Sequence, residues 1–370
     1  MERLYRKFHA HFSWSGVVNW LSAHDAALHR VIGERIPSTL VRSSLGLKLG
    51  RLIQRTVQRH ARRDQSTTTF FLRNRPELDL MCSIVRSTPH WARIDIAVLG
   101  CSKGAEVYSI AWALRTARPD LDVHLHGVDI NKDVVEFAKR GVYSFLSSNA
   151  ETDADLGTEI ASAQIDAETH RDQPLSLFER MTHSEFDEMF ELSGNNVRVR
   201  DHLREGITWK AIDANAADLH EVIGRQDIVF ANRFLCHMPP ILAERCLENA
   251  MSLIKPGGYL FVSGIDLEVR ARTAMRMGWH PVPARIREIH EGDPSVLMGW
   301  PLKYWGLEPF DNSLHGWEYR YASVLQNLAR DTDAVPDIPS RVVGDFLPDS
   351  PPVWSALNPQ DENALIAGPH

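Results

Sequence analysis

Apolar and polar positions fall along the chain in blocks that predict a repeating order of strand and helix. Residues 92–100, Ala-Arg-Ile-Asp-Ile-Ala-Val-Leu-Gly, alternate and then run apolar into a glycine, as a buried strand does before a tight turn. After Cys101-Ser102-Lys103-Gly104, residues 105–116 are rich in helix formers and are stopped by Pro119. Residues 123–129 predict a second strand and 132–140 a second helix. Strands are also expected over 207–212, 227–231 and 259–263, with a helix over 242–254 closed by Pro256-Gly257-Gly258. A β-α-β-α order implies a parallel sheet covered by helices.

Three segments break this rhythm. Between residues 45 and 63, Leu45, Leu49, Leu52, Ile53 and Val57 recur at helical spacing, and Arg51, Arg55, Arg59 and Arg62 form a second stripe. Such a basic amphipathic helix is either a solvated face or a docking face for an acidic partner. Residues 147–175 lose periodicity and fill with Asp, Glu, Ser, Thr and Ala, marking an acidic insertion near 144–197. From Ala271 onward Trp279, Trp300, Trp305, Trp317 and Trp354 stand among prolines, which reads as an added region or lid rather than a continuation of the sheet. Those tryptophans either cover a sheet edge or offer aromatic faces to a sugar or polar metabolite. The expected organisation is therefore a helical module over 1–80, an α/β domain over 81–270 and an extension over 271–370.

A chain of 370 residues, 44% hydrophobic, can bury a sizeable core. No apolar stretch approaches the roughly 18 residues that span a bilayer. Residues 8–22 are too often interrupted by His, Ser and Asn for a signal peptide, so a cytoplasmic protein without membrane insertion is expected. The net charge of −7 hides an asymmetry, because residues 1–65 carry twelve Lys and Arg against four Asp and Glu. No aromatic sheet motif or zinc finger accompanies that basic front, which argues against nucleic acid. The four cysteines, 82, 101, 236 and 246, form no CxxC pair and read as reduced core thiols. The seventeen histidines show no metal-ligand spacing, so no metal is expected.

The chemistry concentrates where strands meet helices. A glycine turn such as Gly100 to Gly104 lets a ligand approach the backbone. Its spacing is not the GxGxxG of a dinucleotide site. Asp129 closes the second strand, where a carboxylate can accept from both hydroxyls of a ribose; alternatively it caps the following helix. Adenosine without pyrophosphate points to S-adenosylmethionine. Asp213 can accept from an adenine amino group, and Asn232 either holds the methionine part or is a strand-end turn residue.

The stretch Gly100-Cys-Ser-Lys-Gly-Ala-Glu-Val-Tyr-Ser109 resembles the C-S-T-G-E-E-P-Y-S signature of CheR-type protein-glutamate methyltransferases. Gly127-Val-Asp-Ile130 and Ala138-Lys-Arg-Gly-Val-Tyr143 follow at the right distances, and Thr68-Thr-Phe-Phe71 is similar to the family's T-x-F-F-R. Asn196 to Arg204 with Trp209 and Asp213, Phe230-Ala-Asn-Arg-Phe-Leu235, and Leu253-Ile-Lys-Pro-Gly-Gly-Tyr-Leu-Phe261 extend the likeness over residues 67 to 266. The resemblance implies a Rossmann-like class I methyltransferase sheet that binds S-adenosylmethionine. Cofactor contacts are expected from Thr68, Gly100, Gly104, Glu106, Asp129, Ile130, Asp213, Ala214 and Asn232.

Departures cluster on the acceptor side. Leu72 stands where the family has arginine, with Arg73 next to it; Asn232-Arg233 replaces R-N; His237 replaces a tyrosine; and Ser263-Gly-Ile-Asp266 replaces G-H-S-E. His237, Arg73 and Arg233 are the expected catalytic residues. Glutamate O-methylation of an acidic protein is the first expectation. A small-molecule or glycan O- or N-methyltransferase using His237 as base, or a non-catalytic sensor of the cofactor, are the alternatives.

Overall fold

The computed structural model describes residues 67–144, 177–193, 196–293 and 306–328. The basic stripe over 45–63, the aperiodic stretch over 147–175, and Trp300, Trp305 and Trp354 lie outside the described residues.

Asn74 starts helix α1 (Arg75–Arg86): its side chain accepts from the Glu77 amide, and Pro76 occupies the first turn, where a missing N–H costs nothing. Helix α1 crosses residue 80 and leads into strand β1 (Arg93–Leu99), helix α2 (Ala105–Ala117), strand β2 (Asp122–Asp129) and helix α3 (Lys132–Arg140). The predicted strand and helix order holds here. Side chains of β1 alternate between two cores, as a strand buried on both faces requires. Ile94, Ile96 and Val98 pack with Met81 and Ile84 of α1 and Ile110 of α2. Ala97 and Leu99 pack on the other face.

After β3 (Val142–Ser144), helix α4 (His183–Met189) and strands β4 (Phe190–Ser193) and β5 (Asn196–Val199) build a small antiparallel sheet, β3-β5-β4. Helix α5 (Asp201–Arg204), strand β6 (Ile207–Ala211), helix α6 (Leu219–Ile223) and strand β7 (Gln226–Phe230) return to the main sheet. Helix α7 (Pro240–Ser252) then packs Cys246, Leu247 and Ala250 against the Leu99 face. The expected turn at Pro256-Gly257-Gly258 lies instead inside strand β8 (Ile254–Phe261). The pairing of β7 with β8 shifts between Gln226 and Ile228, so the irregularity is absorbed within the ladder. A Cβ on Gly258 would lie 2.5 Å from the Asp227 carbonyl oxygen, which only glycine avoids.

The remaining elements are helix α8 (Leu267–Arg276), strand β9 (His280–Pro281), helix α9 (Ile286–Glu291), helix α10 (Trp317–Tyr321) and strand β10 (Val324–Gln326). The main sheet runs β6-β2-β1-β7-β8-β10-β9. Strand β10 pairs antiparallel with β8, Val324 opposite Phe261, and β9 pairs antiparallel with β10. The reading of the segment after Ala271 as an addition outside the sheet is thereby corrected: it supplies two of the seven strands. Trp279 is buried in the second core, and Trp317 packs on Phe310 at 5.6 Å. Counted along the chain the order is 3-2-1-4-5-7-6, a doubly wound sheet whose ligand crevice lies beyond the carboxyl ends of β1 and β7.

An aromatic cluster ties the small sheet to the start of the described chain. Phe71 stacks on Phe178 at 5.5 Å and meets Tyr143 and Phe190 edge-on at 5.3 and 4.9 Å. Its amide donates to the Leu177 carbonyl. Residues 67–70 are thus held beside the carboxyl end of β1, where Ser102 Oγ donates to the Thr67 carbonyl at 2.8 Å.

Candidate functional site

A cleft enclosing about 950 Å3 of space open to solvent lies at the carboxyl ends of β1, β2 and β7. Its position is the switch point of the sheet, where the chain turns in opposite directions on leaving β1 and β7. Thr68, Arg73, Gly100, Glu106, Asp129, Ile130, Asp213, Ala214, Asn232, Arg233 and His237 all line it. Gly104 does not. It precedes α2 with φ of 86°, packed among Ala138, Trp209 and Tyr108, and so shapes the turn from behind.

Gly100 has φ of 69°, and a Cβ there would come within 2.7 Å of the Phe234 ring. The loop that follows is pinned through Asp129. Oδ2 of Asp129 accepts from the Ser102 amide at 2.9 Å, and Oδ1 from the Asn131 amide at 3.0 Å. The helix cap after β2 is Asn131, whose Oδ1 accepts from Asp133 and Val134, so Asp129 is not the cap. Each Asp129 oxygen retains a second acceptor site, since a carboxylate oxygen takes about two donors. Beside it, Ile130 is an exposed apolar side chain at 43%, and Val134, Ile212, Ala214 and Met238 continue the apolar wall. An apolar slot edged by acceptors suits a nucleoside. Asp213 accepts from the Asn215 amide at 2.9 Å through Oδ1.

The other end of the cleft is charged. Leu72 is 1% exposed and left-handed, φ 50°, with its amide donating to Ser109 Oγ at 3.0 Å. Arg73 follows it into the lining, donates to the Thr68 carbonyl at 3.0 Å and lies 5.4 Å from the Phe70 ring. Arg233 is left-handed as well, φ 67°. Bulky residues adopt this conformation at a cost of about 1 kcal/mol or more, and such strain gathers at functional sites. Burial and the facing Arg233 pull the Arg73 guanidinium down to about 10, which leaves it cationic at neutral pH.

Asn232 is 6% exposed, and its side chain is fully engaged within the protein. Nδ2 donates to Glu77 Oε2 at 3.0 Å and to Glu106 Oε1 at 2.7 Å, while Oδ1 accepts from Ser263 N and Oγ at 2.9 and 2.8 Å. It lines the cleft while bonded on both sides, which is more than a bare turn residue does. Burial raises the Glu106 carboxyl against the pull of Asn232, Arg73 and Arg233. His237 ends a single 3-10 turn, Leu235–His237, on the same wall. Sequence reasoning overlooked Ser102, Asn131, Phe234 and Met238 in the lining, and Glu77 behind it. The Asn74-Arg-Pro-Glu77 pattern signals a helix start, yet nothing in it signals burial under a cleft.

This sheet order and this cleft define the class: a doubly wound α/β domain with a nucleoside-sized site at its switch point. Residues 67–155 match the family model described as CheR methyltransferase, SAM binding domain, so this segment is similar to the cofactor-binding domain of that family. A chemotaxis protein methyltransferase of Vibrio parahaemolyticus is 26% identical over 179 residues, covering 47% of this chain and 54% of the relative. The chain thus spans about half the length of that relative. Among solved structures, the magnesium protoporphyrin IX methyltransferase of Synechocystis PCC 6803 is 14% identical, with 55% of this chain and 68% of that chain covered at a TM-score of 0.29. CalS10, an amino pentose methyltransferase of Micromonospora echinaspora, is 15% identical, with 54% and 52% covered at 0.27. No helix among the described residues is long and apolar enough to cross a membrane.

Proposed function

We propose that the chain transfers the methyl group of S-adenosylmethionine to a carboxylate of an acidic protein in the cytoplasm, forming a glutamate methyl ester. The observation that carries this reading is the pair of cations, Arg73 and Arg233, on the cleft wall beside Glu106. Guanidinium groups match carboxylates in charge and in fork geometry. When bound, the cofactor supplies an electrophilic methyl on a sulfonium, and the residues of the chain supply alignment. Asp129 receives the ribose hydroxyls, Ile130 packs on the base, and Asp213 and Ala214 border its amino edge. Thr68 and Gly100 admit the chain of the ligand, and Glu106, fixed by Asn232, faces its ammonium. Arg73 and Arg233 strip water from the acceptor carboxylate and hold it in line. A carboxylate nucleophile carries no proton, so no general base is required. The likeness to a chemotaxis protein methyltransferase of Vibrio supports a protein acceptor. The basic segment that precedes residue 67, with its Arg51/Arg55/Arg59 stripe, docks that acidic protein.

Incubation with methyl-labelled cofactor and host lysate tests this reading. Protein-bound label that leaves as methanol on mild base is the expected result, and base-stable label would overturn the ester. His237 in the lining favours a second reading, a hydroxyl or amine acceptor on a small molecule or glycan. Under it, His237→Phe loses about 100-fold in rate together with the acid limb of the pH profile; an unchanged profile removes it.

A further inference from the structure

Behind the cleft wall, joined through Asn232 to the lining carboxyl Glu106, lies a second carboxyl group that methyl transfer itself does not use. Glu77, in the first turn of α1, is 4% exposed and is not part of the lining. One nitrogen, Asn232 Nδ2, donates to it and to Glu106, holding the two carboxyl groups within two hydrogen-bond lengths of each other. The other Glu77 oxygen, Oε1, is buried with no hydrogen-bond partner. The charged groups that face Glu77 are Glu106 from α2, Arg73 from the segment before α1, and Asp293 beyond α9. Two of these three are acidic. A pair of carboxyl groups this close and this dry cannot both ionise cheaply, so one keeps its proton.

We propose that Glu77 is a positioning residue that holds a proton while the cofactor is absent and releases it to solvent when S-adenosylmethionine binds beside Glu106. The inference rests on the cleft being the cofactor site. S-adenosylmethionine brings an ammonium, a sulfonium and one carboxylate, a net positive charge, and with its ammonium beside Glu106 the field favours the doubly ionised pair. The O–H bond of Glu77 breaks, the electron pair stays on the carboxylate, and the proton passes to buffer. S-adenosylhomocysteine lacks the sulfonium charge and draws off less of the proton. The pair therefore separates methyl donor from spent product by charge, through a residue that touches neither. Burial and Glu106 push the Glu77 carboxyl up to about 8, against the pull of Asn232 and Arg73, which sets the pH range of the effect. A group whose pKa falls on binding makes affinity rise with pH up to its free-state value and level off above it.

Titration calorimetry of the full chain counts the protons when run at about pH 6.8, below the ligand's own amino titration, in buffers of different ionisation enthalpy. About 0.5 to 1 proton released per S-adenosylmethionine is expected, fewer with S-adenosylhomocysteine, and affinity for the donor rising by up to about tenfold per pH unit between roughly pH 6 and 7.5. Glu77→Gln keeps the size and the acceptor for Asn232; it is expected to bind the donor, release at least about threefold fewer protons and lose the pH dependence. Binding heat without proton release in the wild type overturns the proposal and leaves the cofactor site standing. So does release that is unchanged in Glu77→Gln, including release that disappears in His237→Asn. No binding heat at all overturns both. Should Glu77→Gln fail to fold by thermal unfolding, infrared difference spectra of the wild type decide: loss of a protonated-carboxyl band on adding S-adenosylmethionine supports the inference, and an unchanged band overturns it.

Discussion

Replacement of Asp129 by alanine is expected to weaken S-adenosylhomocysteine binding by about 100-fold or more, as read by titration calorimetry, with the protein still folded. Two losses combine. The carboxylate that would receive the ribose hydroxyls is gone, and hydrogen bonds to a charged group contribute about 1.5–3 kcal/mol each. The Ser102 and Asn131 amides also lose their acceptor, so the loop after β1 is no longer tied to the end of β2. Asp129→Asn separates the two effects. It keeps one acceptor but turns an NH2 toward one of those amides, and it is expected to fall between wild type and alanine. Undiminished affinity in Asp129→Ala would show that the nucleoside lies elsewhere.

The second large effect concerns the arginines. Arg73→Ala and Arg233→Ala are each expected to lower kcat/KM for the acidic acceptor by roughly 10- to 100-fold, with S-adenosylhomocysteine affinity changed by less than about fivefold. The size follows from losing one charge-assisted hydrogen bond in a site where the partner guanidinium remains. The double variant is expected to lose less than the product of the singles, because one arginine alone no longer fixes the carboxylate in line. Equal turnover of wild type and double variant would exclude an anionic acceptor held by this wall, and with it the glutamate assignment.

The parts of the fold that could be read from sequence are those with local periodicity. Strands expected over 92–100 and 123–129 are Arg93–Leu99 and Asp122–Asp129, and the helix over 132–140 is Lys132–Arg140. What escaped is long-range. Val324-Leu325-Gln326 is too short to show a period, and only pairing with Phe261 to Tyr259 makes it a strand. The small sheet escaped for the same reason, its strands of three or four residues lying on both sides of the acidic stretch. For the site, motif residues fall on the cleft wall because strand ends fix them. The two arginine segments show why a motif departure is hard to read from letters alone. Leu72 and Arg233 both take left-handed backbone, and Arg73 enters the lining one position beyond the place where the family keeps its arginine. Glu77 illustrates the opposite limit: its role depends on Asn232, 155 residues away.

Strand β10 has a consequence for how the molecule comes to be made. It lies between β8 and β9, although β9 is synthesised first. Until Val324–Gln326 leaves the ribosome, β8 presents an open, apolar edge with unmatched amides, and β9 has nothing to pair with. A nascent chain that has already completed its cofactor-binding segment is therefore still adhesive at one flank. Nonsense or frameshift alleles that stop between residues 281 and 323 would for this reason yield a product prone to self-association and proteolysis, even though every residue of the cleft lining is present.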